Sequence, residues 1–338
     1  PNYMMNREEK KPLLSICVPT NNRVDLLMRT LRSVQTSSRD VEIVVTDNSA
    51  GDETQRAVEA LFEGYEGSWR YHKNNFASDM PGAQKMVGNF NMGVQLAEGK
   101  YIYIIHDDDY LLDGAVDVIL RRLRELGDSH QVVVFGTQLV DLECNVLKVK
   151  YFAEAGYYPP TEAVEILLDN SSSMRFPSFI LSREACDAVG EWDIGSYPAI
   201  DYNMWVRSFM KYGVRMLPDL LSAYTIHDQC VTMTMFNVAS IRPLCDLFDI
   251  AKAGGVVEGG RLEELKSKFL HQFILAGAWK YIRSGANDEA CEVMQIFDDP
   301  EMKQLRPSMK WLSVKLLFSV YLSLARMMPS ARSSAKPA

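Results

Sequence analysis

Hydrophobic and polar positions in the first part of the chain alternate between two periods. Leu13-Leu14-Ser15-Ile16-Cys17-Val18 is a short apolar run stopped by Pro19, and from Val24 to Val34 apolar residues recur at helical spacing. Val41 to Thr46 reads as a second strand, ended by the turn-forming run Asp47-Asn48-Ser49-Ala50-Gly51-Asp52. The pattern then predicts a helix from Thr54 to Phe62, a short strand from Trp69 to His72, a helix from Gln84 to Ala97 and a fourth strand beginning at Tyr101. Strands separated by helical crossovers imply an α/β fold with a Rossmann-like, mostly parallel sheet flanked by helices. Further along, Val132 to Gly136 is a core strand, Gln138 to Val149 a strand or hairpin arm, Thr161 to Leu168 a capped helix and Tyr202 to Lys211 another helix. Beyond residue 230 the period is helical, with helices expected at Ile241–Ala253, Leu262–Arg283 and Glu289–Phe297 packed onto the body.

The fourth strand, Tyr101-Ile102-Tyr103-Ile104-Ile105, runs through His106 into Asp107-Asp108-Asp109. Clustered like charges are costly unless a positive charge sits among them, and a hard divalent cation, Mg²⁺ or Mn²⁺, takes oxygen ligands and brings a substrate phosphate into its shell. The plain alternative is a solvated acidic turn. Polar residues also gather after the first strand (Thr20, Asn21, Arg23, Asp25) and after the second (Asp47, Asn48), where parallel sheets hold their ligands. Three strand ends therefore point to one crevice.

These motifs, in this order and spacing, resemble glycosyltransferase family 2, enzymes of the GT-A fold, over about residues 12 to 230. Pro19-Thr20-Asn21-Asn22-Arg23 matches the opening Pro-Thr-x-Asn-Arg, Asp47 to Asp52 matches in part the acidic turn, and Asn91-Met92-Gly93 followed by Ala97-Glu98-Gly99-Lys100-Tyr101 matches the approach to the aspartate cluster. The resemblance implies an inverting, metal-dependent transfer from a nucleotide diphosphate sugar to a glycan or lipid-linked glycan. It places Asp109 as the leading metal ligand, Asp107 near the donor ribose or a metal-bound water, Asp108 beside them, and His227 of Tyr224-Thr225-Ile226-His227 near the phosphate or metal. Asp47 is expected to meet the nucleobase, with Thr20, Asn21, Arg23 and Asn91 around the nucleotide. Phe90 stands where many relatives carry arginine, which leaves Lys85 or Arg23 to neutralise diphosphate. The family's Glu-Asp pair appears as Ile200-Asp201, making Asp201 the expected base, with helix capping as its structural alternative. His106 is expected to orient the acidic loop or pack beside it.

Composition narrows the class. With 338 residues, 47% hydrophobic and 24% charged, the chain suits one enzyme of two parts, and a formal charge of −8 argues against a nucleic-acid binder. Six cysteines without a CxxC pair and five scattered histidines indicate neither zinc nor a disulfide framework, which suits the cytoplasm. No run resembling a signal peptide opens the residues given. The expected parts are a short flexible start (1–12), a nucleotide-sugar half (13–136), an acceptor half (137–235), a helical extension (236–330) and a disordered tail (331–338). From Lys310 onward five basic residues and no acidic one accompany a segment rich in Leu, Val, Trp311 and Tyr321. That segment, 309–329, reads as an interfacial helix against anionic membrane, or else as a helix docked on the body or buried in a homodimer. Rival functions are a nucleotidyltransferase, disfavoured because the first strand lacks a glycine-rich basic loop, and a silent sugar-nucleotide-binding scaffold.

Overall fold

The computed structural model describes residues 11–227 and 235–327; the expectations for 1–10 and 331–338 lie outside these residues. The elements are β1 (Leu14–Thr20), α1 (Val24–Val34), β2 (Val41–Asp47), α2 (Glu53–Phe62), β3 (Ser68–Lys73), α3 (Gly82–Leu96), β4 (Tyr101–Ile104), β5 (Tyr110–Leu111), α4 (Ala115–Leu126) and β6 (Val132–Val140). There follow β7 (Val146–Lys150), β8 (Gly156–Tyr158), α5 (Pro160–Leu168), β9 (Phe179–Ser182), α6 (Arg183–Val189), α7 (Ile200–Tyr212), β10 (Val214–Thr225), α8 (Ile241–Gly254), α9 (Gly259–Arg283), α10 (Asn287–Gln295), α11 (Pro300–Gln304) and α12 (Met309–Met327).

One sheet runs β3-β2-β1-β4-β9-β6-β10-β5, with β7 added on β6 and β8 on β10. Its first half is parallel, and β1 and β2 are buried over their whole length, which explains their unbroken apolar runs. The second half departs from the simple alternation, because β9 lies antiparallel between β4 and β6. Register sets the crevice: Thr20 lies opposite Asp47, while β4 pairs only as far as Cys17↔Ile104, so the residues after β4 form a shelf beside the end of β1.

One apolar core fills the face covered by α1, α2 and α4, built on Leu27, Leu31, Ile119 and Leu123. The opposite core joins Phe90 of α3 and Trp205 and Phe209 of α7 to Phe269 and Phe273 of α9, so the helical extension shares its interior with the sheet. Two glycines permit close approach of backbone. A Cβ on Gly93 of α3 would stand 3.2 Å from the Cβ of Cys17, and one on Gly99 would stand 2.7 Å from the backbone nitrogen of Ser15. These contacts give a physical reason for the glycines of the Asn-x-Gly and Ala-x-Gly patterns. Beneath Gly99 the buried Glu42 carboxylate accepts from Ser15 and from the amides of Glu98 and Gly99, fixing the entry of β4. Gly99→Ala is therefore expected to destabilise the fold by about 1–3 kcal/mol through overpacking against backbone, read as a lower urea midpoint with unchanged slope.

Candidate functional site

Asp107, Asp108 and Asp109 sit on the shelf after β4, and all are buried. Helix α1 holds the loop by its main chain: Thr30 Oγ1 donates to the carbonyls of Asp107 and Asp109, and Arg29 donates to the Asp108 carbonyl and to Thr225 Oγ1 at the end of β10. The three side chains then point to different partners. Asp107 accepts from Thr20 Oγ1 at 2.7 Å and from the Asn21 amide at 3.3 Å, with the Arg23 guanidinium at 3.4 Å. Asp108 accepts from Arg23 at 2.8 Å and lies 2.9 Å from His227 Nε2. Asp109 is completely buried; its Oδ1 accepts from the Thr225 amide at 2.8 Å and its Oδ2 has no protein partner.

Electrostatics separates the three. Desolvation, reinforced by Asp108, pushes Asp107 up to about 6 and Asp109 well above the ordinary carboxylate range. Burial opposes ionisation of Asp108 too, but the His227 hydrogen bond and the neighbouring positive charge outweigh it and hold Asp108 below the usual value. The crevice is short of positive charge for three ionised groups.

His106 is stacked between Phe90, with ring centroids 5.2 Å apart, and Phe176, at 3.9 Å, and burial lowers it to about 4. The imidazole is therefore neutral, and its buried Nε2 has no partner. Ligand atoms of His106, Asp108 and Asp109 all lie within 4.8 Å of one another. Two orphaned polar atoms on these residues, beside an ionised carboxylate, fit a divalent cation. His106 thus packs beside the loop as expected, and also belongs to the group able to hold a metal. Asp107 does not join that group: its oxygens are taken by Thr20, Asn21 and Arg23. His227 reaches the crevice through Asp108.

Other expected residues divide. Thr20 and Arg23 meet the carboxylates, and the Asn21 amide does so while its side chain faces Asn22. Asp47 is buried completely, accepting from the Ser49 amide, Tyr71 OH and Lys73 Nζ, and so ties together the ends of β2 and β3. Asn91 is engaged with protein backbone. Its amide exchanges two hydrogen bonds with the backbone of Trp192 and straps α3 to that loop. Lys85 donates to the Ser78 carbonyl. Phe90, at that arginine's position, is buried in the aromatic stack. Asp201 lies in the first turn of α7, partly open to solvent; its carboxylate accepts from the Tyr202 amide, and desolvation pushes it up to about 6. Ala199 is the N-cap of α7 and no side chain caps it, so Asp201 stands inside the first turn and not at the expected capping position. Arg29, Thr30 and Thr225 escaped sequence reasoning, because helical and strand periodicity assigns them only to elements and not to a partner across 77 to 196 residues.

The sequence model of glycosyl transferase family 2 matches residues 15–190. A GalNAc(5)-diNAcBac-PP-undecaprenol beta-1,3-glucosyltransferase of Campylobacter jejuni is 34% identical over 138 residues, 40% of this chain and 41% of its own. Abequosyltransferase RfbV of Salmonella typhimurium is 30% identical over 123 residues, 35% of this chain and 34% of its own. The chain thus spans between a third and about two fifths of these relatives. Among solved structures, S. aureus TarS 1–349 in complex with UDP-GlcNAc superposes with a TM-score of 0.60 at 14% identity, covering 92% of this chain and 87% of that one. Mannosyltransferase PcManGT of Pyrobaculum calidifontis, in complex with GDP-Man and Mn²⁺, gives 0.53 at 17% identity, covering 94% and 81%. At these identities the likeness establishes the fold.

A cation competes with protons for raised carboxylates. Mn²⁺ is accordingly expected to raise the melting temperature more at pH 7 than at pH 5, because desolvation holds Asp109 well above the ordinary carboxylate range and the proton that a cation must displace is held more firmly at the lower pH. Asp108→Asn should abolish most of the shift in differential scanning fluorimetry; an equal shift at both pH values would count against the site.

Proposed function

The chain belongs to glycosyl transferase family 2, and on that premise we propose that it moves a sugar from a nucleoside diphosphate donor to a hydroxyl of a glycan or lipid-linked glycan, inverting the anomeric carbon. The observation that carries this reading is the convergence of Asp107 to Asp109, Arg23 and His227 on one crevice, which would otherwise hold a surplus of buried negative charge. His106, Asp108 and Asp109 would hold a divalent ion, which would supply positive charge against the departing diphosphate. Mixed nitrogen and oxygen ligands favour Mn²⁺ over Mg²⁺. Thr20 and Asp107 lie where a ribose hydroxyl can be held, and Arg23 shares the developing charge of the leaving group.

Asp201 serves as the base. With its carboxyl at about 6 it is ionised at neutral pH yet more basic than an exposed aspartate, which suits removal of the acceptor proton as the donor bond breaks. Activity should therefore rise with pH through about 6, as Asp201 loses its proton. Asp201→Asn keeps the size and an oxygen for the Tyr202 amide, so it is expected to lower kcat by roughly 10²- to 10⁴-fold while donor affinity changes little. Kinetics with a nucleotide-sugar panel and anomeric analysis of the product check this; unchanged turnover rejects the base, and a product of retained configuration rejects direct displacement. A nucleotidyltransferase would release pyrophosphate instead of nucleoside diphosphate.

We place the enzyme at the cytoplasmic face of a bacterial membrane, held there by α12. One face of this helix packs on the body through Phe318, stacked on Trp279, and through Leu322 in a small core with Ala290 and Cys291. The opposite face exposes Met309, Leu312, Leu316, Leu317, Val320, Leu324 and Met327, with Lys310 and Arg326 on its flanks and no acidic residue. An apolar centre with basic borders fits an anionic lipid surface. No helix among the described residues is long and apolar enough to cross a membrane. The Campylobacter relative is named for an undecaprenol-linked substrate, which supports an acceptor held in lipid. Leu316→Glu with Val320→Glu alters only exposed positions, and should abolish sedimentation with anionic vesicles without lowering the melting temperature; equal sedimentation would leave α12 as a homodimer or docking helix.

A further inference from the structure

Two basic side chains on the acceptor half have a role that the transfer chemistry above does not use. Lys150 ends β7, and Arg175 follows the loop Asn170 to Met174. They converge on one hydroxyl: Arg175 donates to Ser172 Oγ at 2.8 Å, while the Lys150 ammonium lies 3.4 Å from the same oxygen and 3.1 Å from the Ser172 carbonyl. Both side chains are half-buried, and among the described residues neither forms an ion pair with a carboxylate. Like charges held together out of water are unfavourable unless an anion joins them. Burial, together with Arg175, already lowers Lys150 to about 8, the sign of a cation lacking its counter-charge.

Their position says which anion. The loop that carries Arg175 packs on the start of α7, where Tyr202 OH donates to the Asn170 carbonyl and meets Ser173 Oγ. Asp201 precedes Tyr202 and feels the Arg175 charge without pairing with it. The guanidinium also stands 5.6 Å from the ring centre of Tyr224, next to Thr225, which binds Asp109. The two cations thus share a wall with the base, while the donor diphosphate has Arg23 and the carboxylate crevice. We propose that Lys150, Arg175 and Ser172 form an anion subsite for the acceptor, taking a phosphate or carboxylate group it carries near the reacting hydroxyl. This rests on the transferase reading, and it gives that reading an acidic acceptor.

The test uses the full chain with its crevice filled by Mn²⁺ and UDP or GDP, whichever binds, and titrates inorganic phosphate and acetate by calorimetry. Lys150→Gln combined with Arg175→Gln should weaken the preferred anion by about tenfold or more, as expected for loss of charge-assisted hydrogen bonds. Nucleoside diphosphate affinity should stay within about twofold, and Lys150→Arg alone should retain anion binding, since it keeps the charge. Equal anion affinity in wild type and the double variant overturns the subsite. A parallel tenfold loss of nucleoside diphosphate affinity overturns it as well, by assigning the cations to the donor. Failure of the wild type to bind any nucleoside diphosphate would strike the transferase reading itself, and is read in a separate titration.

Discussion

Negative charge crowded at the end of a buried strand is the constraint around which this site is built. Asp107, Asp108 and Asp109 are consecutive, so their carboxylates cannot be separated by more than their side chains allow, and all three are shielded from water. The fold answers by sending each to a different neighbour: the end of β1, His227 with Arg23, and the backbone of β10. Only Asp108 gains enough compensation to ionise readily. The other two remain biased toward the proton, which is how a site looks electrostatically when it is shaped for a cation.

That answer requires distant pieces of chain to be docked accurately. Arg29 links α1 to both the carboxylate loop and Thr225, and Thr225 in turn holds Asp109. The shelf is therefore a joint between β1, β4 and β10 rather than a property of its own loop. Glu42, beneath the start of β4, plays a comparable part at the opposite end of the strand, accepting from Ser15 and from two amides. A buried carboxylate with every neighbour a donor is a structural anchor; one with an orphaned oxygen facing other ligands is a site.

Periodicity made the order of strands and helices through β4 legible, and with it the crevice where strand ends meet. It did not reveal β9, because an apolar run of four residues carries no direction, and an antiparallel insertion leaves the same composition as a parallel one. Nor could spacing tell which carboxylates face ligand. Asp47 sits at a strand end as expected, yet Tyr71 and Lys73 come from β3 to occupy it. Asn91 lies in the second half of α3, where the side chain's azimuth decides its neighbours, and spacing did not reveal its bonds to the Trp192 backbone. Phe90 and His106 were separately visible, but their stacking with Phe176 depends on a contact across 70 residues or more.

The two halves of the site differ in how they are held, and the difference bears on what each can recognise. The carboxylate crevice stands on ends of adjacent strands locked by backbone register, so its geometry is set by the sheet. The wall proposed for the acceptor is assembled from the start of α7, the loop before Phe176 and the outer strand β7, whose residues are largely exposed. Residues there can change without disturbing the strand register that positions the carboxylates. The family match ends at residue 190, before Asp201 and the whole of α7. On the transferase reading proposed above, a fixed donor platform beside an adaptable acceptor wall would let one scaffold serve different acceptors, and in this chain that wall would carry Lys150 and Arg175.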